Sequence, residues 1–151
     1  MVYSSQLLDH VNRPRNVGSF NRDDCQVGTG IAEGEICGDI VRLQIRINPA
    51  TGLIVAVRLK AYGCGPSIAS ASLASEWLQD ITLESALQIK GHEIARALGL
   101  RGSRRHGALL VEQAIRAAVM DYQCKKSSGV SEANKVTVSG PANKNNLDVV
   151  V

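Results

Sequence analysis

Two short blocks in this chain frame cysteine with glycine: Cys37-Gly38-Asp39, and Gly63-Cys64-Gly65 followed at once by Pro66. A buried cysteine serving as a small hydrophobe needs no such neighbours. Glycine on both sides of Cys64 points to a close backbone approach or an unusual turn. Two thiolates and the Asp39 carboxylate form a mixed donor set suited to zinc or ferrous iron. A tetrahedron asks for one more ligand, and His106, in a loop at the mouth of the last long helix, is the candidate. Taken alone, a loop histidine is most simply solvated and Asp39 most simply a strand-end cap. His10 and His92 fall inside expected helices without partners and read as ordinary, and Cys25 and Cys124 read as incidental. A different use of the same residues is a thiol enzyme, with Cys64 as nucleophile and His106 as base. The sequence offers that reading no obvious substrate pocket.

The elements that must position these residues are legible nearby. Val41, Leu43, Ile45 and Ile47 alternate with Arg42, Gln44 and Arg46, the pattern of a half-buried strand. After "NPATG", Val55, Val57, Leu59 and Ala61 alternate in the same way with Ala56, Arg58 and Lys60. Two such runs joined by a Pro/Gly loop predict an antiparallel hairpin. With its turn near Ala50, paired positions sum to roughly 100, so Asp39 faces about Ala61 and Cys37 about Gly63. Cys37, Asp39 and Cys64 then meet at the open end of one hairpin. Pro66 suits the first turn of a helix running through "SIASASLASEWLQD". Cys64 at the start of that helix would be favoured as a thiolate by the macrodipole and free N–H groups.

Elsewhere, "YSSQLLDHVN" predicts a short helix closed by Pro14, and "NVGSF" and "NRDD" predict turns. "CQVGTGIAEG" reads as a first strand weakened by its glycines. "TLESALQI", with Thr82 as cap, and "GHEIARAL" predict two short helices. A long helix is expected from Ala108 to about Lys125, its apolar stripe formed by Val111, Ile115, Ala118 and Tyr122. "RGSRR" before it reads as a solvated basic loop. Residues 127–151, rich in Ser, Asn, Gly and Lys, read as a flexible tail after a domain spanning 1–126.

Composition sets the bounds. The 151 residues suffice for one domain with an ordinary core, built from Val, Ile, Leu and Ala because aromatics make up only 3%. Seventeen Lys and Arg against fourteen Asp and Glu leave +3, a scattered excess without interleaved aromatics that argues against nucleic acid. The first residues hold no apolar signal region and no run is long enough to span a bilayer, so the expectation is a soluble cytoplasmic protein. In that reducing setting four cysteines point to metal or redox chemistry rather than disulfides. The absence of any C-x-x-C argues against a thioredoxin-type pair and a zinc ribbon.

Four blocks, "HVNRPRNVGSF", "CGDIVRLQIRIN", "YGCGPSIASASLASEW" and "EQAIRAAVMDY", resemble in order and spacing the IscU/NifU N-terminal family of iron–sulfur cluster assembly scaffolds. The likeness spans roughly residues 3 to 126. It implies an α+β fold, a small antiparallel sheet of about three strands packed against several helices. It also implies a non-enzymatic role: a cysteine desulfurase delivers persulfide sulfur, iron binds at the same site, and a [2Fe–2S] cluster is built and handed to cluster-accepting apo-proteins. Zinc is the alternative occupant. The family's site residues correspond here to Cys37, Asp39, Cys64 and His106. Its third cysteine follows the histidine, and here that position is Gly107, which can neither carry a persulfide nor bind iron. Its L-P-P-V-K chaperone segment reads "LRGSRRH" here, which puts chaperone binding in doubt. Cys124 is no substitute, lying about 27 Å along the helix from His106 at 1.5 Å per residue. The resemblance therefore carries two functions: a divergent scaffold, or a non-catalytic zinc-binding paralogue that docks on the assembly machinery without building clusters.

Overall fold

The computed structural model describes residues 3–35 and 38–128; Cys37 and the segment 129–151 lie outside them. The element order is α1 (Ser5–Asn12), β1 (Val27–Glu33), β2 (Ile40–Ile47), β3 (Ile54–Tyr62), α2 (Gly65–Trp77), α3 (Leu83–Leu87), α4 (Gly91–Leu98), a short 3-10 turn (Gly102–Arg105) and α5 (His106–Ser128). The fold is α+β: an antiparallel sheet in the order β1-β2-β3 with helices against it, α5 lying mainly on β1 and α2 beside β3 and α5.

The hairpin forms from the two alternating runs, with the apolar set Val41, Leu43, Ile45, Ile47, Val57 and Leu59 buried in the core. Its register differs from expectation by two residues. Ile40 stands opposite Tyr62, and the pairing slips once more between Arg46 and Ile47 at a bulge. An even shift keeps most of the apolar set on its expected face, and the open end moves forward to Gly63 and Cys64. Two expectations fail: past the bulge Val55 is 45% exposed while Ile54 takes the buried place, and Arg42 and Gln44 are buried, so β2 is covered on both faces rather than half-buried. "NVGSF" does more than turn: Val17 forms a parallel bridge to Leu59, and the Gly18 N–H donates to the Leu59 carbonyl at 3.0 Å. Thr82 caps α3 as expected, accepting from the Ser85 N–H at 3.2 Å. "RGSRR" folds as the 3-10 turn, and α5 begins two residues earlier than its stripe suggested, taking His106 as its first residue.

The glycines that weaken β1 as a strand let α5 approach its backbone. A Cβ at Gly30 would land on the Ala114 carbonyl oxygen, and one at Gly28 on that of Ala118. At the far end of α5, the buried Lys125 ammonium donates to the carbonyls of Val27 (2.8 Å) and Arg22 (2.5 Å). Asp121, one turn earlier, accepts from the Thr29 N–H at 2.9 Å. No helix among the described residues is long and apolar enough to cross a membrane.

His10 is buried between α1 and α2, its Nδ1 2.7 Å from the Ser72 hydroxyl. That hydroxyl also accepts from the Arg15 N–H at 2.9 Å, so Ser72 joins α1 and the chain after it to α2. Burial, with the Arg15 charge nearby, pulls His10 below its ordinary 6.5, against weaker opposing pulls from Glu76 and Asp9.

Two outcomes are expected. The folded chain refuses a proton that the unfolded chain accepts, so this contribution to stability is complete above pH 6.5 and lost as pH falls below it. Thermal melts between pH 7 and 5 should show a drop in Tm that His10→Gln flattens. Gly30→Ala should destabilise the chain by about 1–3 kcal/mol in urea unfolding, because α5 must lift off β1; an unchanged midpoint would deny the close approach.

Candidate metal centre

Three elements end at one place. The residue before β2 is Asp39, the residue before α2 is Cys64, and the first residue of α5 is His106. Gly63 makes the junction between β3 and α2 possible. Its φ of +146° disfavours any side chain, and a Cβ there would overlap the Asp39 carboxylate. Asp39 therefore reaches under the turn, and its Oδ1 accepts from the Cys64 N–H at 3.2 Å. This amide is one of the orphan donors at the head of α2, so Asp39 caps that helix from another element. Cys64, the N-cap residue itself, makes no cap with its own side chain.

Asp39 Oδ2 is the meeting point. The Cys64 thiol donates to it at 3.2 Å, His106 Nε2 lies 3.1 Å away, and the Ser67 hydroxyl donates to it through a short hydrogen bond. His106 Nδ1 is 2.6 Å from the Ser103 carbonyl, which can only accept, so Nδ1 carries a proton and Nε2 faces the cluster. Cys64 Sγ and His106 Nε2 are 3.8 Å apart. The Asp39 side chain is 1% exposed and that of His106 21%. Beside His106 a cleft of about 360 Å³, lined by Glu33, Glu35, Leu109 and Gln113 among others, opens to solvent.

Burial alone would raise Asp39, but hydrogen bonds, chiefly from Ser67 and Cys64, outweigh it and hold the carboxyl below its usual range. Cys64 departs from the thiolate expected of a helix start. Burial pushes its thiol up and the adjacent carboxylate adds to the push, together exceeding the help of the Ser67 hydrogen bonds. Without a metal, Cys64 is a thiol that donates to Asp39.

The three donor atoms fit a divalent cation. All lie within 4.8 Å of one another. Their separations of 3.1, 3.2 and 3.8 Å are close to the edges of about 3.3–3.6 Å that a tetrahedron gives with Zn–N or Zn–O near 2.0 Å and Zn–S near 2.3 Å. Asp39, Cys64 and His106, each singled out from the sequence, are thus brought together. Cys37 lies outside the described residues; its flanks are joined by a hydrogen bond from the Gly34 N–H to the Asp39 carbonyl at 2.7 Å. Cys25 is exposed, Cys124 sits near the far end of α5, and neither joins the cluster.

Ser67 is the functional neighbour that sequence reasoning passed over as a small packing residue. The available signal was its place in the third position of α2, from which a side chain reaches back to the N-cap. Gly107 holds a second finding. A Cβ there would stand 2.6 Å from Ser67 Oγ, 2.8 Å from its Cα and 2.9 Å from its N, so the first turn of α5 leaves no room for any side chain at this position.

Residues 2–129 match the family described as NifU-like N terminal domain. The chain is 48% identical over 126 residues to the iron-sulfur cluster assembly scaffold protein IscU of Azotobacter vinelandii, covering 83% of this chain and 98% of that one. It is 44% identical over 138 residues to iron-sulfur cluster assembly protein 1 of Arabidopsis thaliana, covering 90% and 83%. The solved structure of FiSufU from the thermophile Fervidobacterium Islandicum AW-1 superposes with a TM-score of 0.61 at 18% identity, covering 78% of this chain and 96% of that one. At that identity the likeness speaks for the fold alone.

Gly107→Ala should cost about 1–3 kcal/mol of stability and weaken zinc binding together, since the turn that must move off α2 carries His106. Urea unfolding and zinc titration check it, and a variant that behaves like the parent chain in both would remove the steric argument.

Proposed function

The chain belongs to the NifU-like N-terminal domain family, and from that membership we propose that it is a scaffold for iron–sulfur cluster assembly. In this reading Cys37, Asp39, Cys64 and His106 hold the iron or the [2Fe–2S] cluster, which is cargo rather than a resident cofactor. A cysteine desulfurase supplies the sulfur, apo-proteins receive the cluster, and the chain itself catalyses nothing. Its place of work is the cytoplasm, where thiols stay reduced. The single observation that carries the reading is the convergence of Asp39, Cys64 and His106, from three separate elements, on one triangle of cation-ligand dimensions. Iron–sulfur centres accept histidine in place of cysteine, so a ligand set short of sulfur remains chemically competent.

A second reading has its own observation. Gly107 offers no thiol and, by its contact with Ser67, no space for one. That favours a paralogue which keeps zinc on Asp39, Cys64 and His106 and docks on the assembly machinery without building clusters.

The deciding experiment treats oxygen-free protein with ferrous iron, cysteine and a cysteine desulfurase, then measures iron, acid-labile sulfide and visible absorption. The scaffold reading expects iron and sulfide in comparable amounts, lost in Cys64→Ala and retained in Cys124→Ala. Tightly held zinc with no sulfide would replace it with the second reading, and equal retention in both variants would end the proposed site.

A further inference from the structure

Every ligand candidate in the cluster leans on Asp39 Oδ2, and one non-ligand does so too. The geometry points to Ser67 as the positioning residue of the metal centre: its hydroxyl holds the Asp39 carboxylate in the orientation that presents it to Cys64 and His106. The inference rests on the reading that Asp39, Cys64 and His106 bind a divalent metal.

Two side-chain donors meet at Oδ2, the Cys64 thiol and the Ser67 hydroxyl, and His106 Nε2 stands 3.1 Å from the same oxygen. When a cation arrives, the sulfur gives up its proton and its hydrogen bond to the carboxylate ends, while Nε2 offers its lone pair to the metal. The Ser67 hydroxyl is the side-chain donor of the two that keeps its bond. Carboxylate ligands are held in this way by hydrogen bonds from residues that do not touch the metal.

Ser67 is built for the task. It is 0% exposed, in the first turn of α2, where its N–H donates to the Cys64 carbonyl at 3.1 Å. The backbone of Gly107 closes on its other side, so close that an added Cβ would meet Ser67 Oγ, Cα and N within 3 Å. Its hydroxyl has Asp39 Oδ2 as the short contact and Cys64 Sγ, at 3.4 Å, as the longer one. A wall on the α5 side and two acceptors on the other aim the proton at the site. Ser70, equally buried one turn later, supplies the contrast: its hydroxyl donates to the Pro66 carbonyl at 2.6 Å. Loss of that hydroxyl tests burial and helix packing without touching Asp39.

The experiment uses the full chain with zinc as probe, its affinity read by competition with a chromophoric chelator, and with cobalt(II), read by its visible spectrum. Ser67→Ala should lower zinc affinity by about 10- to 100-fold and change the cobalt bands, because one ligand is no longer held. Ser70→Ala should leave both within about twofold of the parent chain. Parent-like zinc affinity and cobalt bands in Ser67→Ala would overturn the inference, as would an equal loss in Ser70→Ala. Should the parent chain take up neither zinc nor cobalt, the metal centre itself falls and the role of Ser67 with it; that outcome is distinct from a parent that binds and a variant that binds as well.

Discussion

The side chain of Asp39 is 1% exposed, and a carboxylate so placed is tolerated only where hydrogen bonds replace the water it has lost. The replacements come from the Cys64 N–H, the Cys64 thiol and the Ser67 hydroxyl, with His106 Nε2 at 3.1 Å from the same carboxylate. They belong to the heads of two helices, while Asp39 itself precedes a strand. One buried charge thus ties β2 to α2 and α5. The exchange is mutual, because the same carboxylate satisfies an orphan amide of α2 and sits at the positive end of its dipole. The working end of the molecule is ordered by the need to solvate a single anion without water.

That constraint sets a position, and close packing of α5 keeps it. Along β1 the helix meets backbone rather than side chains, at Gly28 and Gly30, and at its head it meets the backbone of α2 where Gly107 faces Ser67. Its far end is pinned by Lys125 and Asp121 to the start of β1. Contacts of this kind leave little slack, because interiors are packed at crystal-like density and a single added carbon must displace something. His106 inherits its place from the whole helix rather than from the loop before it. The Nδ1 contact with Ser103 then turns the ring so that Nε2 faces Asp39.

Much of this was legible in the residues. Alternation at Val41–Ile47 and Val55–Ala61 identifies the hairpin, and the hairpin brings Asp39 to Cys64. The estimated register was two residues short, yet the convergence held because an even slip preserves the faces. The glycines around Cys64 announced a close approach, and at Gly63 the approaching group is Asp39. What was not legible depends on distances between elements far apart in sequence. A helix start argues for a thiolate at Cys64, but burial and an adjacent carboxylate outweigh it, and neither shows in a local pattern. The β1 glycines weaken strand propensity and gain their meaning only from α5. The role of Ser67 emerges only once Asp39 and Gly107 flank it.

Gly107 joins these threads. By resemblance this position carries a cysteine, and its absence reads at first as the loss of one ligand. In the folded chain no vacancy remains. The α5 backbone has closed on Ser67, and the Ser67 hydroxyl reaches the carboxylate from inside that contact. A thiol at 107 and the present packing exclude each other, since a side chain there pushes on the Cα and N of Ser67 as well as on its hydroxyl. Cutting Ser67 back would not clear the backbone, so α5 would have to shift, taking His106 with it. If the resemblance holds, a sulfur donor has given way here to backbone packing that fixes Ser67 against Asp39. Under the proposed reading, the same contact that orders the metal triangle therefore limits how far it can open to build a cluster.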